Sequence, residues 1–420
     1  MTSNPLNVSV NSEIGKLKAV ILHTPGAEVQ NMTPENAERA LYNDILNLQV
    51  AQKEYKQFSD LLSTLTNTFQ VKDLLKDILS NSKARENLIL KICENEKALA
   101  HRDLLDNLEN DVLASQLIEG VVQQKDNLTA FLSRKRYALN PLHNFFFTRD
   151  AAISINDKVL IAAMANKVRE RESIIMQAIF DFHPAFATST INPREENSHD
   201  IAISIEGGDI LIARKDVLLV GVGSRTSSQG VDYILHRLCE RHENMHIIVQ
   251  VLPKTSESFI HLDMVFTFLD KDKCMVYEPI ITKPNCFQTV HISVTGGIVK
   301  IEEQENMLVA LKNLGIDLEP IICGGTLDSW NQQREQWNSG ANFFAFAPGK
   351  VIGYERNIYT IEELNKSGFE VIKAKDVISG KQNPEDYQRC VVCIEGSELS
   401  RGRGGARCMT MPVAREEVVY

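Results

Sequence analysis

Cys408 lies in a segment rich in glycine and arginine, Leu399-Ser-Arg-Gly-Arg-Gly-Gly-Ala-Arg-Cys-Met-Thr-Met-Pro412. Glycines allow the backbone to turn sharply and to approach a ligand closely. Nearby arginines stabilise a thiolate relative to a thiol, and the thiolate is the form that attacks carbon. The segment therefore predicts a nucleophilic cysteine on a turn-rich loop, although a Gly/Arg-rich stretch is also typical of a flexible surface segment.

Other side chains suited to acid–base chemistry or ligand binding stand at or beside apolar runs: Asp150, Glu206, Asp209, His261 and Asp263. Taken singly, each also fits a structural role, such as capping a turn or forming a hydrogen-bonded core histidine. Taken together they indicate a ligand, because buried carboxylates cost free energy unless a partner neutralises them. A cation is one such partner.

A cysteine, a histidine and several carboxylates suit substitution at the planar carbon of a guanidinium group. Paired carboxylates bind the guanidinium N–H groups in bidentate fashion and fix its plane. The thiolate attacks the central carbon; the histidine protonates the departing amine and then deprotonates the water that hydrolyses the adduct. We expect the cationic substrate to favour the thiolate, and we expect no metal or organic cofactor to be needed.

A recurring pattern of strand, short turn, strand and helix runs from Asn140 onward and positions these side chains. Turn signals occur at Asn156-Asp157, Lys215-Asp216, Asp270-Lys-Asp272 and Gly349-Lys350. Two successive intervals are nearly equal, 206 − 150 = 56 and 261 − 206 = 55. The pattern predicts repeated units that share a core, with Phe145–Asp150 as one of the first strands. A circular arrangement would bring the polar residues at these strands to one central point.

The preceding part of the chain divides into two regions. Residues 16–23 form a strand-like run, followed by a turn at Thr24–Gly26 and a helical pattern from Ala37 to Leu62. Residues 71–136 lack proline and contain a single glycine, with apolar residues at helical spacing. We therefore predict a catalytic domain of residues 1–70 and 137–420, and an all-helical insertion of residues 71–136 with a structural role.

Composition limits the class of protein. The 420 residues include 43% hydrophobic ones, enough for a large core, and the net charge is −10. This charge argues against nucleic acid or an anionic membrane as a partner and permits a small cationic substrate. Neither an apolar run long enough to span a membrane nor the features of a signal peptide occur. We expect a cytoplasmic protein.

The cysteines and histidines elsewhere indicate structural roles. The eight cysteines are scattered in apolar contexts, which suits reduced thiols. Cys390 and Cys393 have redox-motif spacing but lie in a strand-like run, which favours core packing. His236, His242 and His246 cluster without a convincing fourth zinc ligand.

Four motifs occur in the order seen in arginine deiminases, which belong to the guanidine-modifying (pentein) superfamily. The motifs are Phe147-Thr-Arg-Asp150, Glu206-Gly-Gly-Asp209, His261-Leu-Asp263-Met264 and Arg407-Cys408-Met-Thr-Met-Pro412. The similarity continues to Ser12–Val20 and His23–Gly26, and so covers nearly the whole chain. It implies a five-bladed pseudo-symmetric α/β propeller of ββαβ-type modules with an inserted all-helical domain, and a homo-oligomer (dimer or higher).

The resemblance also implies roles. Cys408 resembles the nucleophile and His261 the general acid/base, while Asp150 and Asp263 resemble the guanidinium-binding pair and Glu206 a further acid beside them. The substrate-binding candidates are Arg169, Arg225, Asn144, Leu41, Asp209 and Arg403. Among these, Arg169 and Arg225 resemble carboxylate-binding arginines at one offset, 169 − 150 = 19 and 225 − 206 = 19. Arg403 matches a mobile-loop arginine that can occupy the empty site in this family.

The implied reaction is the hydrolysis of free L-arginine to L-citrulline and ammonia through a covalent cysteine-bound amidino intermediate. One departure is Tyr42-Asn43-Asp44, where the family usually has Phe-Asp-Asp. The alternatives are another guanidine-modifying enzyme, such as an agmatine or peptidyl-arginine deiminase or an amidinotransferase, and a catalytically silent arginine-binding protein. A cysteine peptidase is disfavoured, since it has no use for so many carboxylates in one pocket.

Overall fold

The computed structural model describes residues 5–37, 41–42, 44–196, 202–239, 244–254 and 257–420. Within them the strands are β1 (Leu6–Asn7), β2 (Leu17–Leu22), β3 (Asn67–Gln70), β4 (Val121–Val122), β5 (Tyr137–Leu139), β6 (Ala152–Ile155), β7 (Lys158–Ile161), β8 (Phe186–Ala187), β9 (Ser189–Ile191), β10 (Ile210–Arg214), β11 (Val217–Val222), β12 (Asn244–Val251), β13 (Phe266–Phe268), β14 (Lys273–Val276), β15 (Thr289–Thr295), β16 (Ile298–Gln304), β17 (Glu319–Ile322), β18 (Phe344–Ala347), β19 (Lys350–Tyr354), β20 (Glu370–Lys373), β21 (Cys390–Ile394) and β22 (Met411–Arg415).

The α-helices of the same residues are α1 (Ala27–Gln30), α2 (Pro34–Ala37), α3 (Leu48–Leu65), α4 (Val71–Ile78), α5 (Ser82–Asn95), α6 (Arg102–Asp106), α7 (Asn110–Glu119), α8 (Leu128–Leu132), α9 (Thr148–Ala151), α10 (Glu170–Phe182), α11 (Pro193–Glu196), α12 (Ser228–Cys239), α13 (Glu278–Ile281), α14 (Met307–Asn313), α15 (Ser329–Trp337), α16 (Ile358–Lys366) and α17 (Ala374–Ile378). Short 3₁₀ turns add Leu99–His101, Lys167–Arg169, Gly207–Asp209, Glu257–Phe259, Leu262–Met264, Pro384–Asp386 and Leu399–Gly402.

One pattern recurs in five sheets of the described residues: two antiparallel strands, then a third strand parallel to the second. The predicted hairpins are confirmed as β6–β7, β10–β11, β13–β14 and β18–β19. Their parallel partners are β9, β12, β17 and β21. In the fifth sheet β22 pairs with β2, and β3 lies parallel to β2, so strands from opposite ends of the sequence form one sheet. The result is an α/β fold.

The catalytic candidates do not lie in the first strand of each unit but in a helical turn before it. Asp150 is in α9, before β6, and the turns Gly207–Asp209 and Leu262–Met264 precede β10 and β13. The prediction of a strand over Phe145–Asp150 is therefore wrong, since Phe145 and Phe146 lie in a turn and Thr148–Asp150 belong to α9. Tertiary contacts determine the turn, because Arg149 N–H donates to the Cys408 carbonyl at 3.1 Å instead of joining a sheet.

The helical pattern predicted from Ala37 to Leu62 is also interrupted. Among the described residues α2 ends at Ala37 and α3 begins only at Leu48. The Asn47 side chain accepts hydrogen bonds from the backbone N–H groups of Gln49 and Val50, which starts α3 as a separate helix.

Residues 71–136 carry helices α4 to α8 and differ from the all-helical expectation at one point. Gly120, with φ of 97°, ends α7, and the β-branched pair Val121–Val122 then forms β4, which pairs with β5. The apolar faces of α4 to α7 share one hydrophobic cluster with residues of β2, β7 and β22, while Leu128, Phe131 and Leu132 of α8 are exposed. The division into two domains stays a prediction.

The Cys390 and Cys393 side chains point to opposite faces of β21. Each is buried, and they belong to two different hydrophobic clusters, as core packing predicts and a redox pair does not. No helix in the described part of the chain combines the length and apolarity needed to cross a bilayer.

Candidate active site

Five loops or turns, one before the first strand of each repeating unit, meet around Cys408. The turns of α9 and Gly207–Asp209 contact each other, as do those of Gly207–Asp209 and Leu262–Met264. Close backbone approach requires glycine here: a Cβ on Gly207 would lie 2.0 Å from the Arg149 carbonyl oxygen, and one on Gly208 would lie 2.5 Å from the His261 ring. The structure thus brings together Asp150, Glu206, His261, Asp263 and Cys408.

Cys408 is buried, and its sulfur faces the side chains of two other units. Its Sγ lies 3.6 Å from Oδ2 of Asp263 and 3.2 Å from Nδ2 of Asn342. The Oδ1 atom of Asn342 accepts the backbone N–H groups of Arg407 and Cys408 at 3.0 and 3.2 Å. Asn342 therefore fixes the backbone that carries the cysteine and directs an N–H group at its sulfur.

Sequence reasoning missed Asn342, although a signal for it existed. It precedes β18 as Asp150 precedes β6, so a search for polar residues before the fourth predicted hairpin would have marked it. The spacing did not indicate this equivalence, because Asn342 follows Asp263 by 342 − 263 = 79 residues, whereas the earlier intervals are 55 and 56. The interval is longer because β15 and β16, which extend another sheet, come before the next unit.

Two buried carboxylate oxygens at this site lack a hydrogen-bond partner among the described residues. They are Oδ1 of Asp150 and Oδ1 of Asp263. Buried polar atoms are rarely left unsatisfied, so each one needs an explanation. A ligand that donates N–H groups would give each of these two oxygens a hydrogen-bond partner.

His261 is buried between two acids. Its Nε2 lies 2.9 Å from Oε2 of Glu206, and its Nδ1 lies 3.7 Å from Oδ1 of Asp150. Burial opposes the imidazolium, but the charge of Asp150 and the hydrogen bond with Glu206 outweigh it and raise the pKa of His261 to about 9. At neutral pH the histidine is therefore a proton donor.

The surroundings of Cys408 favour its thiol and not its thiolate. Burial, together with the charges of Asp263 and Asp150, raises its pKa well above the ordinary value. The expectation that the flanking arginines favour the thiolate is wrong for Arg401, which pairs with Asp44 and Glu398. A cation bound between the carboxylates would remove the opposing charge.

Arg407 belongs to a buried ion network behind the cysteine. Its guanidinium donates to Oε2 and Oε1 of Glu13 at 3.0 and 2.9 Å and to Oδ2 of Asp263 at 2.8 Å. Burial raises the pKa of Glu13, but the positive charges of Arg407 and Arg149 outweigh it and lower the pKa to about 2. The network holds Asp263 in place, and Glu13 is a second residue that sequence reasoning missed.

The two arginines predicted to bind a carboxylate differ in their partners. Nη1 of Arg169 lies 2.7 Å from Oδ2 of Asp150, and the rest of its guanidinium bonds to Glu172. Arg225 has Nη1 3.7 Å from Oε1 of Glu206, and this buried nitrogen has no hydrogen-bond partner in the part of the chain described.

A cavity of about 120 Å³ opens above the cysteine. Five of the predicted substrate-binding residues line it: Leu41, Asn144, Arg169, Arg225 and Arg403. The catalytic candidates Asp150, His261 and Cys408 also line it, together with Phe147, Ile260, Gly402 and Gly404. The guanidinium carbon of Arg403 stacks 4.1 Å above the Trp337 ring, and Leu41 has a left-handed φ of 67°.

Asp209, like Glu206 and Asp263, lies outside the lining of this cavity, and its role in substrate binding stays a prediction. Its Oδ1 accepts the backbone N–H of Leu262 at 2.9 Å and so supports the turn that carries His261. Burial raises the pKa of Asp209 to about 7.

The unusual segment at residues 42–44 is partly visible. Tyr42 is buried, and its hydroxyl donates to the His143 carbonyl at 3.1 Å, while Asp44 pairs with Arg401. Asn43 lies outside the described residues. The tyrosine hydroxyl is therefore accommodated by a hydrogen bond.

Asp150, Glu206 and His261 also present three possible metal-ligand atoms within 4.8 Å of one another. Arginine charge already compensates these acids, since Arg169 reaches both carboxylates at 2.7 and 3.9 Å. The absence of any need for a metal stays an expectation. Of the proposed histidine cluster, His242 lies outside the described residues, and Nδ1 of His246 instead lies 3.0 Å from Nε2 of His291.

Comparisons with solved structures show a shared fold. The chain resembles the N-terminal domain of ArgZ bound to product, an arginine dihydrolase from cyanobacteria, with a TM-score of 0.52, 13% identity, and coverage of 94% of this chain and 97% of that one. It also resembles SxtG, an amidinotransferase from Microseira wollei, with a TM-score of 0.53, 12% identity, and coverage of 99% of both chains. The chain thus shares its α/β fold with these two proteins.

Sequence comparisons are more specific. The family model for arginine deiminase matches residues 38–415. An arginine deiminase of Bacillus thuringiensis subsp. konkukian is 33% identical over 431 residues, covering 98% of this chain and 99% of the relative. One from Staphylococcus aureus (strain JH9) is 34% identical over 436 residues, covering both chains completely. The chain belongs to the arginine deiminase family.

Proposed function

We propose that this protein hydrolyses free L-arginine to L-citrulline and ammonia through an amidino group held covalently on Cys408. The observation that carries the proposal is the pair of buried, unsatisfied carboxylate oxygens on Asp150 and Asp263, beside the Cys408 thiol and a protonated His261. The names of the full-length relatives and the match to the family support the same reaction.

Substrate binding uses the two acids. The guanidinium of arginine donates N–H groups to Oδ1 of Asp150 and Oδ1 of Asp263, which places its plane over the sulfur of Cys408. The bound cation offsets the charges that raise the thiol pKa, so the thiol gives its proton to solvent and the thiolate forms when substrate arrives. Asn342 donates to that thiolate through Nδ2.

His261 moves the protons. The thiolate forms a C–S bond to the guanidinium carbon, and the imidazolium gives its proton to the departing amine, which leaves as ammonia. The neutral imidazole then takes a proton from a water molecule as its oxygen bonds to the same carbon. The hydroxyl proton of this adduct then passes to the sulfur as the C–S bond breaks, which releases citrulline and returns Cys408 to the thiol; His261 is again the imidazolium. Glu206 stabilises the imidazolium throughout.

The amino-acid end of the substrate meets the outer part of the cavity. Arg225, with its unsatisfied Nη1, binds the carboxylate, and Arg169 contributes while it keeps its contact with Oδ2 of Asp150, because the substrate guanidinium uses Oδ1. Asn144 and Leu41 contact the rest of the ligand, and Arg403 leaves the cavity to admit it. Arg403 is carried on the Gly-rich loop, whose movement therefore gates Cys408.

The remaining family features complete the proposal. The five similar sheets support a five-bladed propeller of ββαβ modules, with residues 71–136 as a helical insertion packed against β2, β7 and β22. Seven cysteines, those whose side chains the structure describes, are free thiols, which supports a cytoplasmic location. We also propose a homo-oligomer.

The test is citrulline formation by Cys408→Ala against Cys286→Ala, which removes an exposed cysteine as a control. We expect no citrulline from the first, wild-type turnover from the second, and unchanged thermal unfolding for both. Acid quenching of the wild-type reaction should leave an adduct on the peptide that contains Cys408. Citrulline production by Cys408→Ala would exclude this cysteine as the nucleophile.

Product analysis separates the alternatives. An amidinotransferase would transfer the amidino group to an added amine in place of water, and an agmatine deiminase would prefer agmatine to arginine. A silent binding protein would retain arginine without forming any product.

A further inference from the structure

β16 is an exposed edge strand with seven residues. It is the outermost strand in the sheet order β10-β11-β12-β15-β16, and six of its residues are exposed. An edge strand presents unpaired backbone N–H and C=O groups, which can pair with another strand. Proteins usually protect such an edge, so its exposure here needs an explanation.

One face of β16 continues an apolar row of the core. Ile247 on β12 pairs with Ile292 on β15, which pairs with Ile301 on β16. The exposed fraction of these side chains rises from 0% to 5% and then to 63%. The neighbouring row ends in the same way at Val299, which is 49% exposed. The apolar face therefore stops abruptly at the edge of the sheet.

The opposite face of β16 carries charges whose spacing is self-complementary. If a second copy pairs antiparallel about a twofold axis at Ile301, Lys300 lies opposite Glu302 of that copy, and Glu302 opposite its Lys300. Both pairs attract. A twofold axis at Lys300 would instead oppose two lysines, and one at Glu302 would oppose two glutamates. Of these three registers, only that at Ile301 avoids like charges.

We propose that two copies of this chain associate through β16, paired antiparallel about Ile301, to form one continuous sheet. Ile301 then contacts its counterpart, which completes the apolar row, and two ion pairs form on the other face. In the single chain Lys300 and Glu302 bond to each other at 2.8 Å as an exposed pair. Such a pair contributes little stability, so exchanging these charges leaves the fold intact.

The partner is a second copy because the charges of Lys300 and Glu302 and the apolar row at Ile301 match this strand's own sequence; Val299 lies opposite Glu303 of that copy, so only the row at Ile301 is completed. A strand of a different protein would need no such internal symmetry. The proposal does not depend on the chemistry at Cys408, since neither Lys300 nor Glu302 lines the cavity.

The test exchanges the charges. Lys300→Glu places glutamates opposite glutamates, and Glu302→Lys places lysines opposite lysines, so each variant alone should dimerise about tenfold more weakly or worse. The double variant K300E/E302K restores both ion pairs and should dimerise like wild type. Lys312→Glu, the same charge change at an exposed helix position, is the control and should not alter dimerisation.

Mixing the two single variants gives the decisive measurement. A chain with Lys300→Glu and a chain with Glu302→Lys are complementary in this register, so the mixture should form heterodimers that neither variant forms with itself. Sedimentation velocity on the full-length proteins measures each case, and thermal unfolding confirms that all variants are folded. A monomeric wild type at micromolar concentration, or dimers that ignore these charges, would overturn the proposal, whatever the enzyme activity.

Discussion

Arg169 and Arg225 occupy equivalent positions in two successive units, yet their surroundings differ. Arg169 is held by Glu172 and Asp150 through bonds of 2.7 to 3.1 Å, and its side chain is 5% exposed. Arg225 approaches Glu206 only to 3.7 Å, is 14% exposed and keeps a buried nitrogen without a hydrogen-bond partner among the described residues. The same offset in sequence thus gives one arginine whose donors are occupied by Glu172 and Asp150, and one that keeps an unused donor.

The difference separates holding a site together from binding a ligand. Arg169 balances several buried acids, so its removal would leave their charges uncompensated. Arg225 has hydrogen-bonding capacity to spare, so a substrate carboxylate can use it without breaking existing bonds. We therefore expect the first arginine to dominate stability and the second to dominate substrate affinity.

The largest effect is expected from Arg169→Ala. Removing one partner of a buried ion pair costs about 3–5 kcal/mol, because the other charges stay buried. The free energy of unfolding in urea should fall by that amount, and citrulline formation should be lost. An Arg169→Ala variant as stable as wild type would show that the arginine is not needed to neutralise these acids.

Arg225→Ala should act on substrate recognition. A charge-assisted hydrogen bond contributes about 1.5–3 kcal/mol, so kcat/KM for arginine should fall by about 10- to 150-fold. Any activity that the wild type has with agmatine, which has no carboxylate, should be unchanged in the variant. Equal losses for both substrates would mean that Arg225 acts through Glu206 and not on the carboxylate.

A smaller effect concerns the pH dependence of stability. Burial raises the pKa of Glu206, but the charge of Arg225 and the hydrogen bond with His261 outweigh it and lower the pKa to about 2 from 4.5. Because this pKa is depressed, the stabilisation is complete above pH 4.5 and is lost as pH falls through about 2. Arg225→Ala raises the Glu206 pKa, so its acid unfolding should begin at higher pH than that of wild type.

The loss of stability at alkaline pH serves as a reference for the loss at acid pH. His261 has a raised pKa of about 9, so its contribution is complete below 6.5 and is lost as pH rises through about 9. Thermal unfolding from pH 2.5 to 10 checks both limits, with Arg214→Ala, a surface arginine paired with Asp216, as the control. An unchanged acid limit in Arg225→Ala would contradict the assigned cause.

Local patterns in the sequence were enough to predict the hairpins. Turn signals such as Asn156-Asp157 and Gly349-Lys350 lie between apolar runs, and positive φ values at Asn156 and Gly349 explain those residue types. The acids of the site were also predictable, since carboxylates beside apolar runs would be buried without a counter-charge.

Contacts between distant units were not predictable in this way. Glu13 reaches Arg407 across 394 positions only because β2 pairs with β22, and nothing in the periodicity specifies that closure. The partners of Arg169 and Arg225 were not predictable either. Their equal spacing predicted equal roles, but only Arg169 is followed by an acid, Glu172, that occupies its hydrogen-bond donors.

The smallest effect should come from Asp44→Asn. This variant tests whether the stabilisation by Arg169 comes from the burial of its ion pairs or from their short contact distances. Arg401 contacts Asp44 at 2.5 Å, closer than Arg169 contacts Asp150, but these side chains are 40% and 53% exposed. Water and side-chain entropy reduce such a pair to about 1 kcal/mol or less. Arg401 also keeps Glu398 as a partner at 2.9 Å.

Urea unfolding of Asp44→Asn at low and high salt measures this. The loss should stay below about 1 kcal/mol and shrink in high salt, since exposed charges are screened. The buried cluster around Arg169 should respond much less to salt, because solvent ions do not reach it. If Asp44→Asn destabilised the protein as much as Arg169→Ala, contact distance and not burial would set the contribution of these arginines, and the distinction between Arg169 and Arg225 would have to rest on their bonds alone.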